Sequence, residues 1–132
     1  NILIFTLDSD KDNLQNEIKK ILFDYSNTIY VSSIVLHELF FLYHIGKLKF
    51  NKKNISEDVI LSRIQEFGLE IIYFNDKHSL KYLNLKISQN HKDMNDHLII
   101  SQAISDKIPL ISSDSMFDKY VTQGLQFIFN KR

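Results

Sequence analysis

Apolar residues recur along this chain in short runs and helical stripes, and their order reads as strands separated by helices. Ile2 to Leu7 is a short apolar run ahead of Asp8, Ser9 and Asp10. It is compatible with a strand or with the first turns of a buried helix, because periodicity does not separate the two. From Asp12 onward, Leu14, Ile18, Ile21, Leu22 and Tyr25 fall at helical spacing, with Asp10 or Asp12 as N-cap. Thr28-Ile29-Tyr30-Val31 is β-branched and aromatic, as a strand requires. Ser32 or Ser33 then caps a very apolar helix that stops at Gly46.

A polar loop rich in Lys and Asn follows. Ser56 to Gly68 carries Val59, Ile60, Ile64 and Phe67 on one helical side, and Leu69 to Phe74 is a strand. Asp76 opens a helix expected to turn Leu80, Leu83 and Ile87 inward. Asp93 caps the next helix, with Leu98, Ile99, Ala103 and Ile104 as its apolar positions. Pro109 to Ser112 and Leu125 to Phe129 are the last strands. Alternation of this kind predicts an α/β layer with a mainly parallel sheet, in which sites form beyond the carboxyl ends of the strands.

Length and composition narrow the class. With 132 residues, the chain is expected to be one domain, residues 1–132, burying roughly two-thirds of its unfolded surface. Sixteen basic and sixteen acidic residues cancel, so no strongly basic face is guaranteed, although a local patch is compatible with neutrality. There is no cysteine, which removes disulfides, thiolate zinc sites and thiol nucleophiles and fits a reducing cytoplasm. No apolar run approaches the roughly 18 residues of a membrane helix, and no signal sequence opens the chain. The first residue is Asn1 rather than Met, as in a processed, trimmed or misassigned start.

Three carboxylates stand out by position. Glu38 lies in Ile34-Val35-Leu36-His37-Glu38-Leu39-Phe40-Phe41, where a carboxylate needs a partner, a proton or a cation unless it lies on a solvated stripe. Asp96 sits in the first turn of the helix that Asp93 caps, where the helix dipole alone already favours an acid. Asp114 follows the strand through Ser112-Ser113 and could equally be a turn residue. Taken together, the three fall at one edge of a parallel sheet. Clustered carboxylates repel, and a divalent cation with oxygen ligands, Mg2+ or Mn2+, removes that repulsion.

At this point the motifs resemble a known family. Tyr30-Val31-Ser32-Ser33-Ile34-Val35-Leu36-His37-Glu38-Leu39 is similar to the second motif of PIN-domain ribonucleases, a strand, a serine and a glutamate six residues later. His91-Lys92-Asp93-Met94-Asn95-Asp96-His97-Leu98-Ile99-Ile100-Ser101-Gln102-Ala103 resembles the third, read as H-x-D-x-x-D in the VapC-like branch. Pro109-Leu110-Ile111-Ser112-Ser113-Asp114-Ser115-Met116-Phe117 resembles the fourth, an apolar strand followed by T/S-x-D and an aromatic. The resemblance implies a three-layer α/β/α PIN fold and a metal-dependent endoribonuclease, the toxin of a type II toxin–antitoxin pair. By motif, Glu38, Asp96 and Asp114 would be the catalytic, metal-holding acids. Asp93 is a further metal candidate, and Ser112 would orient Asp114 or a metal-bound water. An RNA substrate, a cognate antitoxin and a homodimer are the implied partners.

The family's first motif, a strand ending in D-(S/T)-(N/H), is matched here only by its tail, Asn1-Ile2-Leu3-Ile4-Phe5. On that register the first strand and aspartate would lie upstream of residue 1, and Ile2 to Leu7 is helical. A rival register makes Ile2 to Leu7 the first strand and Asp8-Ser9 the catalytic start. The alternative function is an impaired PIN remnant that binds antitoxin or RNA. His37-Glu38 is not a zinc-protease HExxH, since position 41 is Phe. The pairs His37/His44 and His91/His97 lack zinc spacing and are expected to be partly exposed. No GxGxxG or P-loop is present.

Overall fold

Ile2–Leu7 forms a helix, α1, with Leu3, Thr6 and Leu7 buried. Thr6 Oγ1 donates to the Ile2 carbonyl four residues back at 2.8 Å, a bond that lets a β-branched residue sit in a helix without exposing its hydroxyl. The helical register therefore holds, and the alternative in which this segment is the first strand is overturned. The computed structural model describes residues 2–8 and 11–132, Lys11 by its backbone. Ser9 and Asp10, named above as catalytic start and cap, lie outside the described residues. Two compact units are present: Asn1–Ile72 with Lys131–Arg132, and Tyr73–Asn130.

In the first unit, Lys11–Asn13 is a 3₁₀ turn and α2 spans Asn16–Phe23 after Gln15, which has no side-chain cap bond. Asp12 is thus not the cap of α2. The chain turns at this point to bury Leu14 together with Ile18, so the apolar stripe starts before the helix does. Tyr25 lies beyond the end of α2 and is fully exposed. Strand β1 (Tyr30–Ser32) leads into α3 (Ser33–His44), whose N-cap Ser32 accepts from the Ile34 N–H at 3.2 Å.

The expected polar loop is instead an antiparallel hairpin, β2 (Lys49–Phe50) and β3 (Lys53–Asn54). Asn51 and Lys52 both have positive φ, 49° and 62°, the conformation of a tight two-residue hairpin turn. Asp8 Oδ1 accepts the Asn51 N–H at 2.7 Å, while Leu48 and Phe50 plug into the core. Helix α4 (Glu57–Glu66) follows, and β4 (Glu70–Ile72) pairs in parallel with β1. Leu3, Leu7, Val31, Leu36, Leu39 and Ile60 complete this core.

The second unit begins with α5 (Asp76–Asn84), closed by a capping box in which the Asn75 side chain accepts from His78 N–H and Asn75 N–H donates to His78 Nδ1. Leu80, Leu83 and Ile87 do not turn inward; they are 63%, 79% and 47% exposed. The buried positions are His78 and Leu85, with Tyr82 packed beside them. An imidazole counted as polar is what anchors the inner face: His78 Nε2 donates to Asp106 Oδ2 at 2.9 Å.

Helix α6 (Met94–Asp106) is buried on nearly every side, through His97, Ile99, Ile100, Ser101, Gln102 and Ile104. Sealing a residue such as Ile100 from water contributes about 1.5–3 kcal/mol. Strands β5 (Leu110–Ser112) and β6 (Phe127–Phe129) pair in parallel and are joined through a 3₁₀ helix, Ser115–Gln123. Phe117, Tyr120 and Leu125 pack with Leu85, Ile100 and Ile104. Both parallel pairs follow the β–helix–β logic read from the sequence, and β5 ends where the acidic residues gather.

Candidate metal centre

Asp93 caps α6, its Oδ1 accepting from Asn95 N–H at 2.9 Å and Asp96 N–H at 3.5 Å. This cap starts the helix so that Asp96 falls in its first turn. His91, buried in the preceding turn, donates from Nε2 to Asp96 Oδ2 at 3.0 Å. Its other nitrogen, Nδ1, is 2.9 Å from Tyr120 Oη, which also accepts from Ser88 N–H at 3.2 Å. His97 Nε2 donates to the His91 carbonyl at 3.0 Å, and the two rings meet edge to face with centroids 4.8 Å apart.

Asp114 enters from β5. Its Oδ1 accepts from Met116 N–H at 2.8 Å, starting the 3₁₀ helix, and its own N–H donates to Ser112 Oγ at 3.1 Å. Ser112 is fixed in turn, since its carbonyl accepts from the N–H of fully buried Asn130 at 2.9 Å. The serine thus orients Asp114 through the backbone.

The result is a cluster in which one ligand atom each from His91, Asp96 and Asp114 lies within 4.8 Å of the others. Burial pushes the Asp96 carboxyl above its ordinary value; Asp93 and Asp114 push the same way, and the His91 hydrogen bond pulls back. Among the described residues no Lys or Arg pairs with Asp93, Asp96 or Asp114. A half-buried acid repelled by two others is a donor set that a hard divalent cation fits, because the cation supplies the missing positive charge.

Asp96 and Asp114 are brought together within the second unit. Glu38 stands on α3 of the first unit, half-buried between exposed His37 and buried Leu39. His37 and His44 are exposed, as expected. His91 and His97, expected to be partly exposed, are instead 5% and 4% exposed. Phenol and carboxylate partners satisfy both His91 nitrogens and a carbonyl satisfies His97 Nε2, which makes burial tolerable. Sequence reasoning passed over His91 as a member of the cluster, although it opens the H-x-D-x-x-D pattern. Tyr120 gave no signal, being 24 residues beyond Asp96 in a segment that showed no regular periodicity.

The PIN domain family model matches residues 1–122. The chain belongs to the PIN-domain family. The α/β arrangement with parallel strands is the PIN fold, and the family is one of nucleases. Among solved structures, the chain is similar to VapBC2 from Rickettsia felis, described as bound to a DNA fragment from their promoter. That likeness has a TM-score of 0.65 and 26% identity, and covers 99% of this chain and 95% of that one. Together they support a VapC-like member of this nuclease family. No curated protein sequence matches the chain. Among the described residues, no helix is long and apolar enough to cross a membrane.

Proposed function

We propose that this PIN chain is a Mg2+- or Mn2+-dependent endoribonuclease, the toxin of a toxin–antitoxin pair, acting in the cytoplasm as one PIN domain. The observation that carries the reading is the convergence of Asp96 and Asp114, from α6 and the end of β5, with no Lys or Arg paired to either among the described residues. Asp96 and Asp114 would hold the cation. By its motif alone Glu38 would be a further metal-holding acid, and Asp93 ranks below Asp96 and Asp114 because its Oδ1 is engaged in capping α6. A bound divalent cation would polarise the phosphodiester, favour hydroxide formation and stabilise the leaving oxygen. The chain's own residues prepare that chemistry: Ser112 fixes Asp114, and His91 holds one oxygen of Asp96.

The likeness to R. felis VapBC2 supports a cognate antitoxin as partner. The exposed apolar stripe Leu80, Leu83 and Ile87 supports a homodimer. The test is cleavage of single-stranded RNA by the purified chain with Mn2+, with Mg2+ and with chelator, beside Asp96→Asn and Asp114→Asn. Metal-dependent cleavage lost in both variants is expected. Mn2+ binding without cleavage of any RNA would instead assign a binding role, and cleavage that survives chelator and both substitutions would sink the reading.

A further inference from the structure

Tyr120 is fully buried, and its phenolic oxygen has two neighbours: Ser88 N–H, which donates to it at 3.2 Å, and His91 Nδ1 at 2.9 Å. A phenol has one proton to give. Ser88 is already a donor, so the acceptor for that proton is His91 Nδ1, which must then carry the lone pair. A neutral imidazole with its lone pair on Nδ1 is protonated on Nε2. The other side of the ring agrees independently. Nε2 lies 3.0 Å from Asp96 Oδ2, and an ionised carboxylate can only accept.

We infer that Tyr120 and His91 are positioning residues, a relay that fixes the imidazole as an Nε2–H donor and thereby sets the Asp96 carboxylate for the cation. The inference rests on the reading of Asp96 as a metal-holding acid. It also decides what His91 is not. One of its ring nitrogens lies within 4.8 Å of a carboxylate oxygen of each acid, yet the nitrogen facing Asp96 bears a proton, and a protonated nitrogen does not coordinate a metal. The lone pair faces Tyr120 instead. His97 braces the arrangement by holding the His91 carbonyl. The 3₁₀ helix that begins with Asp114 as its cap also carries Tyr120, so one short element locates one acid directly and the other through the relay.

Proton–nitrogen correlation NMR on the metal-free protein reads the His91 tautomer, and calorimetric Mn2+ titration reads the affinity. The expected tautomer is Nε2-protonated, and Tyr120→Phe should shift the Nδ1 resonance by removing its donor. His91→Ala should weaken Mn2+ binding about tenfold or more. His91→Gln, whose side-chain N–H can occupy the Nε2 position, should stay within about threefold of wild type. Circular dichroism on each variant separates these effects from unfolding, and the Gln–Ala comparison keeps the test decisive if Tyr120→Phe is unstable. An Nδ1-protonated ring overturns the relay, as does a Gln variant as weak as the Ala variant. Wild-type protein that binds no Mn2+ overturns the metal reading and the positioning role together. Mn2+ binding alongside an Nδ1-protonated ring overturns the relay alone.

Discussion

Removing the Asp106 carboxylate should release the far end of α6 from α5, and the structure sets the size of the effect. Asp106 Oδ2 accepts from Nε2 of His78, a side chain only 1% exposed, at 2.9 Å. Asp106 Oδ1 lies 3.3 Å from Lys77 Nζ, an exposed group that adds little. Asp106→Ala leaves a buried imidazole N–H without its acceptor, at a cost of about 1.5–3 kcal/mol for a bond to a charged group. Asp106→Asn keeps an accepting oxygen and loses the charge, so about half that loss is expected. Burial alone would raise the Asp106 carboxyl, but the hydrogen bonds from His78 and Lys77 outweigh it and leave it below its ordinary value. A carboxyl lowered by folding stabilises the fold above its unfolded value of about 3.9, and that contribution is lost as pH falls through the folded value. Urea unfolding followed by circular dichroism should therefore separate wild type from Asp106→Ala most widely at about pH 7 and by a smaller gap at about pH 3. An equal gap at both pH values, or a gap below about 0.5 kcal/mol at the higher one, would refute the reasoning.

Three further outcomes follow from other parts of the chain. Asp96→Asn should leave the metal-free protein at least as stable as wild type near neutral pH. The Asp96 carboxyl is raised on folding, so its ionised form costs stability above the unfolded value. The same variant should abolish the rise in melting temperature on adding Mn2+, a rise that corresponds to about 2.7 kcal/mol at a hundredfold excess over Kd. Lys107, the left-handed C-cap of α6 at φ 56°, should be replaceable by Gly with a gain of about 1 kcal/mol in urea unfolding; a loss would mean that the Lys side chain matters more than its backbone. Leu80→Glu with Leu83→Glu should change stability by less than about 0.5 kcal/mol, because both side chains point outward. Gel filtration of the pair variant at matched concentration then shows whether this stripe joins two copies.

Several elements of both units were legible because their signals are local. Asp93 and Ser32 were readable as caps from the oxygens they offer to the next turn, and β5 from its apolar run ending in serine. The hairpin Lys49–Asn54 was not, since its turn is Asn-Lys rather than Asn-Gly and only Leu48 and Phe50 mark its buried side. The inner face of α5 was misread for a related reason. Apolar periodicity selects Leu80 and Leu83, while the face is chosen by His78, whose partner Asp106 is 28 residues away. For the site, Asp96 and Asp114 were visible at the starts of helices. Tyr120 was not, because a buried phenol declares itself only through the ring it touches.

Helix α6 is pinned by an imidazole at each end, His91 at Asp96 and His78 at Asp106. Asp114 instead begins a nine-residue 3₁₀ helix, a form whose poorer hydrogen-bond geometry seldom persists beyond about four residues. The two acids are therefore mounted differently, Asp96 in the first turn of an α-helix and Asp114 as the cap of a 3₁₀ helix. A cation held by the pair as proposed would meet one acid on a regular α-helix and the other at the head of a 3₁₀ helix, so a change along Ser115–Gln123 would reach the site through Asp114 and Tyr120 at once.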